Sequence, residues 1–302
     1  MKNVLLLATG GTIACQQTRE GLAPVLDGAA LLGLLPALGT ICTATVCDLM
    51  QVDSTDLTTA DRVTIARAVW DNRTAYDGFV IAHGTDTLAA TAALLDHMLP
   101  GIDRPVVLTG SMLPMGAPGS DAPRNLLDAF RVAATGRAGV FAVLCGAILP
   151  GRHVYKCHST AIDAFCAVGA PPAGAVCADG TIHWQAPPRP AGKPAFRPAA
   201  ARSVPVIRLT SDLAPAFFDR LHGCPHLILE TYGAGGLPAR LVSAVGALIA
   251  SGTQVYLTTQ CTEGGVDLHK YAVGQRAEAL GAVSLGTRTI EDAVAAILCG
   301  EL

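Results

Sequence analysis

The sequence predicts an α/β protein with a larger N-terminal domain, a mostly parallel sheet flanked by helices, and a smaller C-terminal α/β domain. Three observations carry this. Continuous apolar runs of strand length alternate with segments whose apolar residues return every three or four positions. The strand-like runs end in Gly, Thr, Ser or Asp, as strands do where they feed a tight turn into a covering helix. A proline-dense stretch at 185–204, QAPPRPAGKPAFRPAAARSV, has no periodic pattern and divides the chain into residues 1–184 and 205–302.

In order, the predicted strands of the first domain are VLLLATG from residue 4, ATVCDLM from 44, FVIAHG from 79, VVLTGS from 106 and VFAVLCGAIL from 140. Helical periodicity marks LTTADRVTIARAVWDN from 57 and TLAATAALLDHML from 87. GSDAPRNLLDAFRVAATGR, from 119, opens on Ser-Asp and a proline, which are helix-start signals. Beyond the linker, PVIRLTS, HLILETYGAGG and VYLTTQC read as strands, with LPARLVSAVGALIASG and TIEDAVAAILCGEL as helices. No fixed-period repeat is present.

At 302 residues the chain is about twice a typical domain. It is 51% hydrophobic and 15% charged, with a formal net charge of −3 and no block of like charges. Such a balance offers no electrostatic reason to bind nucleic acid or an anionic membrane, so the expected partners are small molecules and protein subunits. No uninterrupted apolar run reaches about 18 residues, so no membrane span is expected. The five apolar residues from Val4 are too few for a secretory h-region, which predicts a cytoplasmic location. The ten cysteines form no C-x-x-C pair and no zinc-spaced cluster with histidine.

Four strand ends carry groups that can do chemistry: Thr9 and Thr12 in TGGTIA, then Asp53-Ser54-Thr55-Asp56, then His83-Gly84-Thr85-Asp86-Thr87, then Thr109-Gly110-Ser111. Strand ends of a parallel sheet point the same way, so these loops can converge on one crevice, with Thr9 and Thr12 at its mouth. Each taken singly can equally be a helix cap. The Gly-Gly after the first strand lacks G-x-G-x-x-G and a P-loop lysine, which argues against a nucleotide cradle. A threonine hydroxyl is a poor nucleophile unless a base takes its proton. Among four lysines, Lys156 is the one that follows the last strand of the first domain, and a desolvated lysine can be that base.

Together, TGGTIA at 9–14, DSTD at 53–56, HGTDT at 83–87 and R-x-x-x-K at 152–156 resemble the bacterial L-asparaginases, most closely the type I, cytoplasmic group. The resemblance extends to LTGSMLP, SDAPRNLLDAF, LILETYGAG and TTQCTEGGVDLHKYAVG, and so spans nearly the whole chain. It implies hydrolysis of L-asparagine to L-aspartate and ammonia through a threonine-linked β-aspartyl ester, without a cofactor. Thr12 matches the nucleophile. Thr85, Asp86 and Lys156 match a second catalytic set in which lysine and aspartate polarise a threonine. Ser54 and Thr55 match positions that hold the substrate α-carboxylate, Asp53 lines the pocket, Asp86 also meets the α-ammonium, and Ser111 falls where a backbone carbonyl lies near the leaving nitrogen. The resemblance also implies a homodimer or homotetramer whose site is completed by a neighbouring subunit, with Tyr232 and residues 233–236 as contributors. Two positions depart from the pattern: Leu22 stands where many relatives carry a mobile-loop tyrosine, and Met112 where glutamine is common. A mixed glutaminase-asparaginase, a non-catalytic amino-acid binder and an amidotransferase subunit are the alternatives. The intact threonines, aspartate and lysine argue against the second, and the lack of an RNA-binding addition against the third.

Overall fold

The computed structural model describes residues 1–18, 21–185, 187 and 192–302, with the side chains of 16–18 and 21–24 outside that description. It divides into two compact units, Met1–Ala200 and Ala201–Leu302.

Unit one is built on an eight-stranded sheet. Its strands are β1 (Asn3–Gly10), β4 (Thr43–Val52), β5 (Gly78–Ala82), β6 (Pro105–Thr109), β7 (Gly139–Leu144), β8 (Ala147–Pro150), β11 (Gly174–Val176) and β12 (Ile182–Trp184). Two hairpins lie off this sheet: β2 (Cys15–Thr18) with β3 (Gly21–Pro24), and β9 (Val154–Lys156) with β10 (Phe165–Ala167). The order in the sheet is β12-β11-β8-β7-β6-β5-β1-β4. Strands β4, β1, β5, β6 and β7 are parallel, in the register Leu6↔Val46, Leu6↔Val80 and Val80↔Val107. Because side chains alternate across a strand, Val4, Leu6, Val80, Ala82, Val107 and Val143 share one face. Their neighbours Leu5, Leu7, Phe79, Ile81, Val106 and Leu108 are equally buried on the other. Continuous apolar strands follow from a sheet covered on both sides.

Helix α1 (Gly28–Gly33) and helix α4 (Ala122–Ala134) contribute Leu31, Leu126, Ala129, Phe130 and Ala133 to the first of these faces. Six of the eight buried residues on α4, at 122, 125, 126, 129, 130 and 133, have the three-and-four spacing of an amphipathic helix. Helix α2 (Thr59–Asn72) packs on α3 (Leu88–Met98), which lies against β6 and β7. A capping box starts α2: Asp61 Oδ2 accepts from Thr58 N and Oγ1, and Thr58 Oγ1 accepts from Asp61 N.

Two expectations change here. The run VFAVLCGAIL is not one strand but the antiparallel hairpin β7–β8. It folds back at Cys145 and Gly146, both at positive φ (48° and 78°), the two-residue turn whose twist matches a hairpin. The later part of the expected linker is anchored to unit one. Ala195 N and Arg197 N donate to Pro100 O and Met98 O, and Phe196 stacks on Trp70 with the Arg67 guanidinium above it.

Unit two carries a parallel sheet in the order β13 (Val206–Arg208), β14 (His226–Thr231), β15 (Gln254–Thr259), β16 (Val283–Ser284). Leu227, Leu229, Val255 and Leu257 pack with Val245 and Leu248 of helix α5 (Val242–Ala250). The alternate residues Ile228 and Tyr256 pack with Ala293 and Ile297 of helix α7 (Ile290–Leu298). Between them, α6 (Ala272–Ala279) is a helix that the sequence reading did not assign.

Among the described residues no helix is long and apolar enough to cross a membrane, and no group of three or more His, Cys, Asp or Glu is arranged to hold a metal ion.

Candidate active site

The chain leaves β1 toward β4 on one side, and later returns through β5 on the other. This reversal opens a crevice beyond the carboxyl ends of β1 and β5, the place where open α/β sheets bind ligands. The four loops named from the sequence all start at the carboxyl ends of adjacent strands around this point.

The glycines set how closely those loops approach. At the end of β1, Gly10 and Gly11 take φ of 101° and 82°, a region costly for any side chain. A β-carbon on Gly11 would collide with Cα and N of Gly84, and one on Gly84 would stand 2.6 Å from Ser54 Cβ and Oγ. The first and third loops are therefore in direct backbone contact at Gly11 and Gly84, and Ser54 of the second loop packs against Gly84.

Thr12 opens a short 3-10 turn, Thr12–Ala14. Ile13 and Ala14 are buried and anchor it, while Thr12 is half-buried and its hydroxyl has no hydrogen-bond partner among the described residues. Thr9 is not at the mouth. It is buried within β1, and its hydroxyl donates to Ala82 O at 2.8 Å, tying β1 to β5. Thr109 is spent similarly, its hydroxyl donating to Val143 O at 2.7 Å. A strand-end threonine whose side chain points into the sheet satisfies a neighbouring carbonyl instead of meeting solvent.

In the second loop, Asp53 Oδ1 accepts from Thr55 N at 2.9 Å and from Thr55 Oγ1 at 2.8 Å, closing an Asx-type turn. The backbone bond first and then the hydroxyl hold the Asp53 carboxyl below the ordinary aspartate range. Asp53 and Thr55 are exposed, whereas Ser54 is buried beneath Gly84. The second loop is stapled to the third by Thr87, whose hydroxyl donates to Ser54 O at 2.7 Å.

The third loop meets the β9–β10 hairpin. Lys156, opposite Phe165 in that hairpin, reaches back so that its Nζ lies 3.0 Å from Thr85 Oγ1 and 2.6 Å from Asp86 Oδ1. Thr85 is buried, and the lysine side chain is 15% exposed against 59% for Asp86. The amine is thus enclosed, and its carboxylate partner is open to an incoming cation. Arg152, four residues earlier, pairs instead with the buried Asp96 at 3.4 Å and supports the scaffold.

Ser111, in the fourth loop, is fully buried and its hydroxyl donates to Leu113 O at 2.6 Å, so that hydroxyl shapes the loop and does not line the crevice. Asp121, expected to start the helix, caps none of its backbone N–H groups. Its carboxylate accepts from Met112 N and Leu113 N, both at 3.0 Å, and from Asn125 Nδ2 at 2.9 Å. Asn125 also donates to Gly110 O and accepts from Cys145 N. The sequence marks Asp121 only as part of a helix start and does not mark Asn125. The available signal was a polar Asn on the otherwise apolar face of α4. The side chain of Leu22 lies outside the described residues.

His83 is named from the sequence only as part of the third strand end, with no role of its own. It is fully buried, with Nδ1 2.6 Å from Gly84 O and Nε2 2.9 Å from Thr91 Oγ1. Burial pushes its pKa down to about 4, against the opposing pull of the Gly84 carbonyl and with a smaller contribution from Arg62. An unfolded histidine titrates near pH 6.5, so between about pH 6.5 and 4 the unfolded chain binds the extra proton. Stability is therefore lost as pH falls through that window. From pH 7 to pH 5 the wild type is expected to lose roughly 2 kcal/mol more than His83→Asn, compared by urea denaturation at each pH. Equal losses in the two proteins would exclude a neutral buried ring.

The description "Asparaginase, N-terminal" matches residues 3–190, and "Glutaminase/Asparaginase C-terminal domain" matches residues 203–299. The chain belongs to the asparaginase family. It is 39% identical over 294 residues to an L-asparaginase of Thermococcus kodakarensis, covering 95% of this chain and 89% of that one. It is 31% identical over 304 residues to L-asparaginase 1 of Escherichia coli K12, covering 96% and 89%. The solved structure of the thermostable L-asparaginase from Thermococcus kodakarensis superposes with a TM-score of 0.92 at 38% identity, over 99% of this chain and 92% of that one. Asparaginase membership agrees with the fold class and the resemblance read from the motifs.

Proposed function

We propose that this protein is an L-asparagine amidohydrolase that releases ammonia and L-aspartate through a β-aspartyl ester on Thr12. The observation that carries this reading is the contact of Lys156 Nζ with both Thr85 Oγ1 and Asp86 Oδ1, in a loop whose Gly84 abuts Gly11, the residue before Thr12. Such a cluster can move a proton to and from a hydroxyl at the reacting centre.

In this mechanism Thr12 Oγ1 attacks the side-chain amide carbon, and backbone N–H groups of the glycine loops meet the developing oxyanion. The amide C–N bond breaks and the nitrogen leaves as ammonia, carrying the proton given up by the hydroxyl. Water, activated by Thr85 with Lys156 and Asp86 behind it, then attacks the ester, frees aspartate and returns the proton to Thr12. Asp86, being open, takes the α-ammonium, while Ser54 donates toward the α-carboxylate and Thr55 joins it by turning its hydroxyl from Asp53 Oδ1 to the substrate, the backbone bond from Thr55 N to Asp53 still holding the turn. Ser111 acts by holding its loop, whose backbone faces the leaving nitrogen. The reaction as written needs no metal or organic cofactor.

The working unit in this proposal is a cytoplasmic homodimer or homotetramer, with a neighbouring copy supplying Tyr232 and residues 233–236. Tyr232 is exposed on unit two, in agreement with such a role. Asparagine and glutamine differ by one methylene, worth about 1–3 kcal/mol in a pocket of this kind. Steady-state ammonia release on the two amino acids side by side tests the reading. Higher kcat/KM on asparagine is the expected result, and absence of release from either would overturn it.

A further inference from the structure

Beneath the crevice, a chain of hydrogen bonds joins the second and third loops through side chains that touch no substrate. Arg62, on α2, donates from Nη1 to Leu57 O at 2.8 Å and from Nε to Thr91 Oγ1 at 2.9 Å. Leu57 closes the 3-10 turn Ser54–Asp56. Thr91, on α3, lies 2.9 Å from His83 Nε2, and His83 Nδ1 lies 2.6 Å from Gly84 O.

The donor inventory admits a single order of protons. Arginine only donates and a carbonyl only accepts. Gly84 O therefore takes the Nδ1 proton of a neutral ring, His83 Nε2 accepts from the Thr91 hydroxyl, and Thr91 Oγ1 accepts from Arg62. His83 and Thr91 are fully buried, so water does not replace a missing link. One guanidinium fork thus holds the end of the DSTD turn with one prong and the backbone of Gly84 with the other. Gly84 is the residue wedged between Gly11 and Ser54.

We infer that Arg62, acting through Thr91 and His83, is a positioning residue that sets the spacing between residues 53–57 and residues 83–87, and with it the fit of the amino-acid head group. The kinetic part of this inference rests on the asparaginase reading. The structural part does not.

Thr91→Val keeps shape and removes the hydroxyl, while Thr91→Ser keeps the hydroxyl. For Thr91→Val, KM for L-asparagine rises about tenfold with kcat within about threefold, and Thr91→Ser stays within about twofold of wild type. Arg62→Met combined with Thr91→Val loses no more than the worse single variant, because both cut one chain. A wild-type KM in Thr91→Val, even with a lowered melting temperature, would overturn the inference, as would a multiplied loss of about a hundredfold in the double variant. Hydrogen exchange on the substrate-free protein reads the same coupling without turnover. Thr91→Val speeds exchange in both 53–57 and 83–87, and acceleration confined to the second would refute it. A wild type that releases no ammonia sinks the asparaginase reading alone, and exchange still decides this one.

Discussion

Thr12→Ala is expected to lower ammonia release from L-asparagine by about 10⁴-fold or more while leaving the melting temperature nearly unchanged. The two halves of that expectation have separate causes. Without the hydroxyl no β-aspartyl ester forms, and what remains is the modest effect of binding and of oxyanion donors. Stability changes little because the Thr12 side chain is half-buried and its hydroxyl bonds to nothing among the described residues. Substitutions away from packed or bonded features fall within about 0.5 kcal/mol. The turn itself is held by its neighbours: Ala14 N donates to Gly11 O at 3.0 Å and Ile13 is wholly enclosed. Ammonia assay and thermal melt on the same preparation check both halves. A residual rate within tenfold of wild type would transfer the nucleophile's role to Thr85. Mass spectrometry of the quenched wild-type reaction gives a positive counterpart, with the aspartyl group on the peptide containing Thr12.

The contrast between Thr12 and Thr9 shows what the sequence can and cannot specify. Both flank the same glycine pair, and both are strand-end threonines of the kind that lines a crevice in a parallel sheet. Thr9 still belongs to β1, where strand parity turns its hydroxyl to the carbonyl of β5. Thr12 comes after two glycines at positive φ and escapes that parity. The decisive fact is a backbone conformation, which periodicity does not report. The same holds at Cys145, where a positive φ turns a continuous apolar run into a hairpin. Periodicity does report which side of an element is buried. That is why the parallel strands and α4 were legible, and why the loops at their ends could be named together.

Bond partners across elements were not legible. Asp121 has every local mark of a helix cap, yet it holds the backbone of Met112 and Leu113. Arg62 carries no mark in the sequence beyond its place in a helical segment, while its fork reaches Leu57 and Thr91. Each of these pairs is set by the three-dimensional crossing of two elements whose positions are far apart in the chain. Resemblance supplied the pairing of Lys156 with Thr85 and Asp86, which spacing alone could not, since 70 residues separate Asp86 from Lys156.

Lys156→Met is the sharper test of how the hydroxyls are activated. Methionine has similar length and no charge, so it can lie along the β9–β10 hairpin beside Phe165, over whose ring the amine now stands at 6.0 Å. Removing one member of a buried ion pair is usually costly because the other charge is stranded. Here the Asp86 carboxylate is more than half exposed and stays hydrated, so the fold is expected to lose no more than about 1 kcal/mol. Turnover is expected to fall about 10³-fold or more, since Thr85 then has no amine at 3.0 Å to exchange its proton. Lys156→Arg separates the two ways an amine can help. Guanidinium keeps the positive charge beside Asp86 but does not give up its proton. If the lysine works by accepting a proton, the arginine variant is as inactive as the methionine one. If it works as a fixed charge that orients Asp86, the arginine variant recovers most of the rate, and the role of base passes to another group. Ammonia release by the three proteins, with circular dichroism to verify folding, decides between these outcomes.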